Sequence, residues 1–91
     1  GKTEQAIQIL KEALATNSGQ VELYLNLASL YESLDKTETG LAFLNENDHL
    51  FAKEPRYQFR IGVLLDKLGK RAESIEQMKK VLAINPKDPR P

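Results

Sequence analysis

His49 is the only histidine in the chain, and it follows Asn47-Asp48. A histidine beside a carboxylate suggests a general base or a metal ligand. A metal centre needs several His, Cys, Asp or Glu donors at ligand spacing, and the sequence supplies no such set around His49. The plainer reading is a polar helix end, where Asp and His side chains hydrogen-bond to nearby backbone. Asp66, Glu73 and Glu76 are spaced as solvated helix faces, not as a buried acid/base pair. Gly62 and Gly69 stand seven apart with no following Lys-Ser/Thr, so no phosphate-cradling loop is present. The expectation is a chain that is not an enzyme, with no catalytic residue, metal or cofactor.

Charge narrows the partners. The 91 residues carry 13 Lys plus Arg and 13 Asp plus Glu, for a net charge of zero. A nucleic-acid binder would normally show a basic excess, so that class is disfavoured. The charges are unevenly placed, however. Residues 1–45 hold 3 basic and 6 acidic groups, and residues 46–91 hold 10 and 7. An acidic protein or peptide would therefore be sought on the second half. No cysteine is available for a disulfide, which fixes no compartment. No apolar run approaches the roughly 18–20 residues of a membrane span, so no insertion is expected. A soluble protein, with the cytoplasm favoured, is the expectation.

The positioning elements are helices. Ala6, Ile7, Leu10, Ala13 and Leu14 recur at helical spacing from Gly1 to Ala15, and Asn17 or Gly19 is expected to close that helix in a left-handed conformation. Leu23, Tyr24, Leu27, Ala28, Leu30, Tyr31 and Leu34 cover more than half of a second helix from about Gln20 to Leu34, as on a helix packed on several sides. Asp35 with Glu38 resembles a capping box opening a third helix, Thr37 to Asn47. That helix is weakened by Gly40 and by Asn45-Glu46-Asn47-Asp48. Leu50 and Phe51 are expected to fold back as an apolar plug. Pro55 suits the first position of a fourth helix reaching about Leu68. A fifth runs from about Lys70 to Ile84, with Ala72, Ile75, Met78, Val81 and Leu82 as its apolar stripe and Asn85-Pro86 as its stop.

These helices repeat. Residues 55–88 form a two-helix unit, and a shift of 34 brings Leu27 onto Ile61, Ala28 onto Gly62, Tyr31 onto Leu65 and Leu34 onto Leu68. A second shift places Gly1 on Asp35 and Gly69. A fixed period of this length marks a stacked repeat architecture. Asp88-Pro89 follows Glu54-Pro55 by one period, so a further repeat is expected to open there. The chain divides into a half repeat (1–20), two repeats (21–54 and 55–88) and the start of another (89–91), a piece of a longer array.

Tyr24, Leu27-Ala28 and Tyr31, then Gln58, Ile61-Gly62 and Leu65, resemble the first-helix pattern of the tetratricopeptide repeat. Ala6, Leu10 and Ala13 resemble its second-helix small–large–small series. Ser74, Met78 and Val81 stand there in the last repeat, and Gly40, Leu44 and Asn47 in the middle one. Pro86 stands at its closing proline. The resemblance implies an all-α, right-handed superhelical solenoid of about two and a half repeats and five helices. It implies a non-catalytic scaffold whose first helices line a groove for a partner's peptide or helix. The groove residues would be Glu22, Leu25, Asn26, Ser29 and Ser33, then Arg56, Phe59, Arg60, Val63 and Lys67. The alternative role is a structural or self-associating segment, a homo-oligomer formed through uncapped ends where Met78, Val81 or Ile84 lies uncovered.

Family members that capture a terminal carboxylate use a Lys/Asn pair, an Asn and a basic pair on successive first helices. Asn26 matches the single Asn, and Arg56 with Arg60 the basic pair. The first pair would precede Gly1. The competing expectation is that both arginines pair with Glu54 or with acids of the neighbouring repeat.

Overall fold

A computed structural model describes residues 1–84, and within them all regular structure is helical. Five α-helices follow in order: α1 (Lys2–Thr16), α2 (Val21–Ser33), α3 (Thr37–Glu46), α4 (Pro55–Lys67) and α5 (Arg71–Ile84). A 3-10 turn, Asp48–Phe51, lies between α3 and α4. The expected stop at Asn85-Pro86 and the repeat expected at 89–91 lie outside the described residues.

The period in the sequence is visible in the turns. Asp35 (φ 64°) and Gly69 (φ 80°) both take the left-handed conformation, 34 residues apart. After α2, the Lys36 amide donates to the Tyr31 carbonyl at 2.8 Å and Asp35 to Glu32 at 2.9 Å. After α4, Lys70 donates to Leu65 at 2.9 Å and Gly69 to Asp66 at 3.0 Å. The same backbone cap therefore closes both first helices and reverses the chain into its hairpin partner. Asp35 ends α2 and does not open α3. The N-cap of α3 is Lys36, which makes no side-chain cap, so the expected capping box does not form. Neither Asn17 nor Gly19 has positive φ. The α1 terminus is instead closed on the Ala13 carbonyl, which accepts from the Asn17 amide at 2.9 Å, the Thr16 hydroxyl at 3.1 Å and Asn17 Nδ2 at 3.3 Å.

Hairpins α2–α3 and α4–α5 stack in series, with α1 on α2, α3 on α4, and the two first helices α2 and α4 touching. Tyr24, Leu41, Leu44, Phe51, Tyr57, Ile61 and Leu64 form the shared core. Its centre is aromatic. The Phe51 ring meets Tyr24 edge-on at 4.9 Å and tilts over Tyr57 at 4.8 Å. Such pairs add roughly 0.5–1.5 kcal/mol beyond the area they bury. Phe51 is the plug that the sequence suggested, whereas Leu50 beside it is exposed.

Helix α5 departs most from its pattern. Ile75 and Leu82, assigned to the apolar stripe, are 52% and 68% exposed, while Ser74 and Gln77 are buried. Polar groups hold this helix to α4. The Ser74 hydroxyl donates to the Gly62 carbonyl at 2.8 Å, and Gln77 Nε2 donates to Gln58 at its carbonyl (3.0 Å) and its Oε1 (2.7 Å). Gln58 in turn donates to Asp48 at 2.7 Å and to the Phe51 carbonyl at 3.0 Å. One buried network thus ties α5, α4 and the 3-10 turn together.

Candidate functional site

The first helices α2 and α4 carry every residue expected to line a groove. At the end nearest the start of α4, Leu25, Pro55, Arg56, Phe59, Arg60 and Val81 line an open depression of about 380 Å³. Pro55 is fixed there by the helix start: the Glu54 carboxylate accepts from the Arg56 amide at 3.3 Å, capping α4. Of the residues expected from the sequence, the fold brings Leu25, Arg56, Phe59 and Arg60 together there. Asn26, Ser29, Val63 and Lys67 lie on the same two helices but do not line the depression. Ser33 turns its hydroxyl onto the Ser29 carbonyl at 3.2 Å.

Phe59 is the exposed aromatic of the site, with 51% of its surface accessible. Leu25, one period earlier, is partly buried and packs against the core. Two of the cations on this face, Arg56 and Lys67, are engaged by acids. Arg56 Nη1 lies 2.6 Å from Glu22, and its Nε lies 3.5 Å from Glu54. The Arg56 hydrogen bond is the main reason that the Glu22 carboxyl titrates below its ordinary range, and Glu22 raises the guanidinium in return. Lys67 donates to Glu32 Oε1 at 2.5 Å. Arg60 Nη1 is 3.8 Å from Glu32 Oε2, too far for a hydrogen bond.

Glu32 is the site residue that sequence reasoning missed. Its side chain is only 13% exposed, and Oε2 is buried with no hydrogen-bond partner. The signal for it was a cross-repeat charge pairing: Glu32 stands 35 residues before Lys67, one more than the period that separates Glu22 from Arg56. Pro55 and Val81 were also missed as lining residues. Val81 comes from a second helix, which the expectation of a groove built from first helices leaves out.

His49 is exposed on the 3-10 turn, and its neighbour Asp48 accepts from Gln58 in the buried network. No described helix is long and apolar enough to cross a membrane.

A comparison with curated proteins gave no match. Among solved structures, the crystal structure of MamA protein superposes with a TM-score of 0.79 at 23% identity, covering 94% of this chain and 47% of that one. A second, MamA MSR-1 C2, gives 0.68 at 23% identity, covering 94% and 49%. The chain spans about half the length of these structures, and at this identity they speak for the fold alone. Two family profiles, each described as tetratricopeptide repeat, match residues 1–58 and 55–88. The paired left-handed turns and the helical hairpins stacked one period apart agree with these matches. The chain belongs to the tetratricopeptide repeat family, a family of generally non-catalytic protein-interaction repeats.

Proposed function

We propose that the α2–α4 face is a groove that binds a peptide or helix of a partner protein. The observation that carries this reading is the exposed Phe59 ring in an apolar depression that Arg56 and Arg60 also line. Leu25, Pro55 and Val81 supply a wall for an apolar side chain of the partner. Arg60 supplies charge. Among the described residues its nearest acid stands beyond hydrogen-bond reach, so its donors remain available to a carboxylate of an acidic partner. Arg56 is less free, being engaged by Glu22 and Glu54, which weakens a two-arginine carboxylate clamp. Asn26, Ser29, Val63 and Lys67 extend the face along the same helices.

The test begins with selection from a random-peptide display library against the protein. Enriched peptides should carry a bulky apolar residue near an acid, and affinity should fall at least tenfold in Phe59→Ala or Arg60→Ala. Free-acid and amide forms of one selected peptide report whether a terminal carboxylate is read. Selected peptides that bind both variants as well as the parent would overturn the groove.

A further inference from the structure

We propose that Glu32 determines which anion the groove accepts: Arg60 and Lys67 share its one carboxylate, and the three groups admit a single carboxylate of the partner in preference to a dianion. This rests on the groove proposed above and assigns the station where its acid is read. Arg60 and Lys67 both belong to α4 and share one helix face, two turns apart. Both reach back across the seam to α2. Lys67 Nζ lies 2.5 Å from Glu32 Oε1, and Arg60 Nη1 lies 3.8 Å from Oε2.

Charge separates the two ends of this seam. Near the start of α4, Arg56 is met by two carboxylates, Glu22 and Glu54, which leaves a surplus of negative charge. Toward its end, two cations meet the one carboxylate of Glu32, which leaves a surplus of positive charge. A partner's acid is repelled at the first end and attracted to the second. Asp35, Lys36 and Glu38 line a depression with Lys67, but among the described residues none forms an ion pair with it. All three are exposed, so water and salt screen them. Glu32 is largely buried, and its Oε2 is shut off from solvent without a hydrogen-bond donor. Its charge is poorly screened and acts on whatever Arg60 holds. The guanidinium makes no hydrogen bond to Glu32 at 3.8 Å, so its donors can turn to an incoming oxygen. One carboxylate brings the three groups to neutrality. A phosphate, with close to two charges, leaves an excess of negative charge beside a buried carboxylate.

The probe is one peptide from the display selection whose binding is lost in Phe59→Ala. It is acetylated and amidated, and made with its acidic residue as glutamate, glutamine or phosphoserine. Each form is titrated with the whole protein by fluorescence anisotropy. Glutamate should bind roughly three- to tenfold tighter than glutamine, and phosphoserine no tighter than glutamate. Arg60→Ala and Lys67→Ala should each bring the glutamate-to-glutamine ratio toward one, whereas Arg56→Ala, whatever its effect on affinity, should keep it. Glu32→Gln retains the shape and an acceptor for Lys67 while raising the local charge by one. In that variant phosphoserine should overtake glutamate by roughly threefold or more. An unchanged phosphoserine-to-glutamate ratio in Glu32→Gln, or a glutamate-to-glutamine ratio set by Arg56 and not by Lys67, would overturn the proposal and leave the groove standing. Peptides that all bind Phe59→Ala as well as the parent would remove the groove, and this station with it.

Discussion

The guanidinium of Arg56 lies 2.6 Å from the carboxylate of Glu22, 34 residues upstream. The pair spans one repeat period and joins the two first helices on the surface that also holds the depression. Both side chains are largely exposed, so screening leaves the pair a small contribution to stability. Its effect is on where charge sits: Glu22 neutralises one of the two arginines that a partner would meet.

Glu22→Gln should therefore change the melting temperature little while altering its pH dependence. The Glu22 carboxyl titrates below its ordinary value of 4.5 in the folded chain, chiefly because Arg56 hydrogen-bonds to its charged form. A lowered folded pKa means a contribution fully present above the unfolded value and lost as pH falls through the folded one. The difference between parent and Glu22→Gln in thermal melts should be constant near neutral pH and should vanish under acid conditions below 4.5. A difference that grows toward acid would contradict this assignment.

Tyr57 makes the opposite demand. Its ring is fully buried among Tyr24 and Phe51, and burial is the main reason its phenol is pushed well above the ordinary 10.0. The folded chain holds this proton more tightly than the unfolded chain. The associated stability is thus complete below 10.0 and is lost as pH rises toward the folded value. Tyr57→Phe removes the hydrogen bond to Leu44 at a cost of roughly 1 kcal/mol, and Tyr57→Ala opens a cavity costing roughly 3–5 kcal/mol. Urea melts measure both. Equal losses would mean that the ring contributes nothing beyond its hydroxyl.

The helix order, the period and most of the aromatic core were legible because large apolar residues recur at helical spacing. The orientation of α5 was not. Ser74 is placed only through the family's small second-helix position, and Gln77 is polar, so the apolar periodicity omits both and assigns Ile75 and Leu82 inward. The structure reverses this because Gln77 meets Gln58, itself buried, across the α4–α5 seam. A pairing of two glutamines from different helices leaves no trace in a hydropathy pattern. Leu25, Arg56, Phe59 and Arg60, named through family resemblance, line one depression, whereas Glu32 needed the cross-repeat charge pairing.

That seam yields a sharper measurement. Gln58→Leu would remove the side-chain acceptor of Gln77, which keeps only the Gln58 carbonyl, and the donor to Asp48 and Phe51 in one step. Each buried group left without a partner costs roughly 1–3 kcal/mol, so the loss should exceed that of Gln77→Leu alone. In the double variant Gln58→Leu with Gln77→Leu the two changes should be less than additive, because they share one network. Strict additivity in chemical denaturation would show that the two side chains act separately.

Two glycines that look alike in sequence should behave differently. A Cβ on Gly40 would stand 3.2 Å from the Ala28 carbonyl oxygen and 3.3 Å from Tyr31 Cβ, neither of which can swing aside. On Gly62 it would meet Met78 Cε at 2.6 Å, the far end of a flexible side chain. The middle repeat already carries Ala28 at the position of Gly62. Alanine gains about 1 kcal/mol over glycine inside a helix. Gly62→Ala should keep most of that gain as Met78 turns away, whereas Gly40→Ala should destabilise by separating α2 from α3. Melting both variants beside the parent decides it, and a Gly40→Ala protein more stable than Gly62→Ala would refute the account.

The final contrast concerns the paired turns. Asp35 and Gly69 close α2 and α4 with the same hydrogen bonds, yet only glycine adopts positive φ without steric strain. Nothing within 4 Å would contact a Cβ on Gly69, so its role is set by φ and not by space. Gly69→Ala should then cost about 1 kcal/mol, close to the strain of a left-handed non-glycine residue. Asp35→Gly should relieve that strain, offset in part by the greater freedom of glycine in the unfolded chain, for a net gain of a few tenths to about 1 kcal/mol. The measurement is the shift in urea midpoint at unchanged slope. A destabilised Asp35→Gly would mean that the aspartate side chain supports the turn by an interaction outweighing its strain. It would then be a reason for the residue that the shared backbone geometry does not supply.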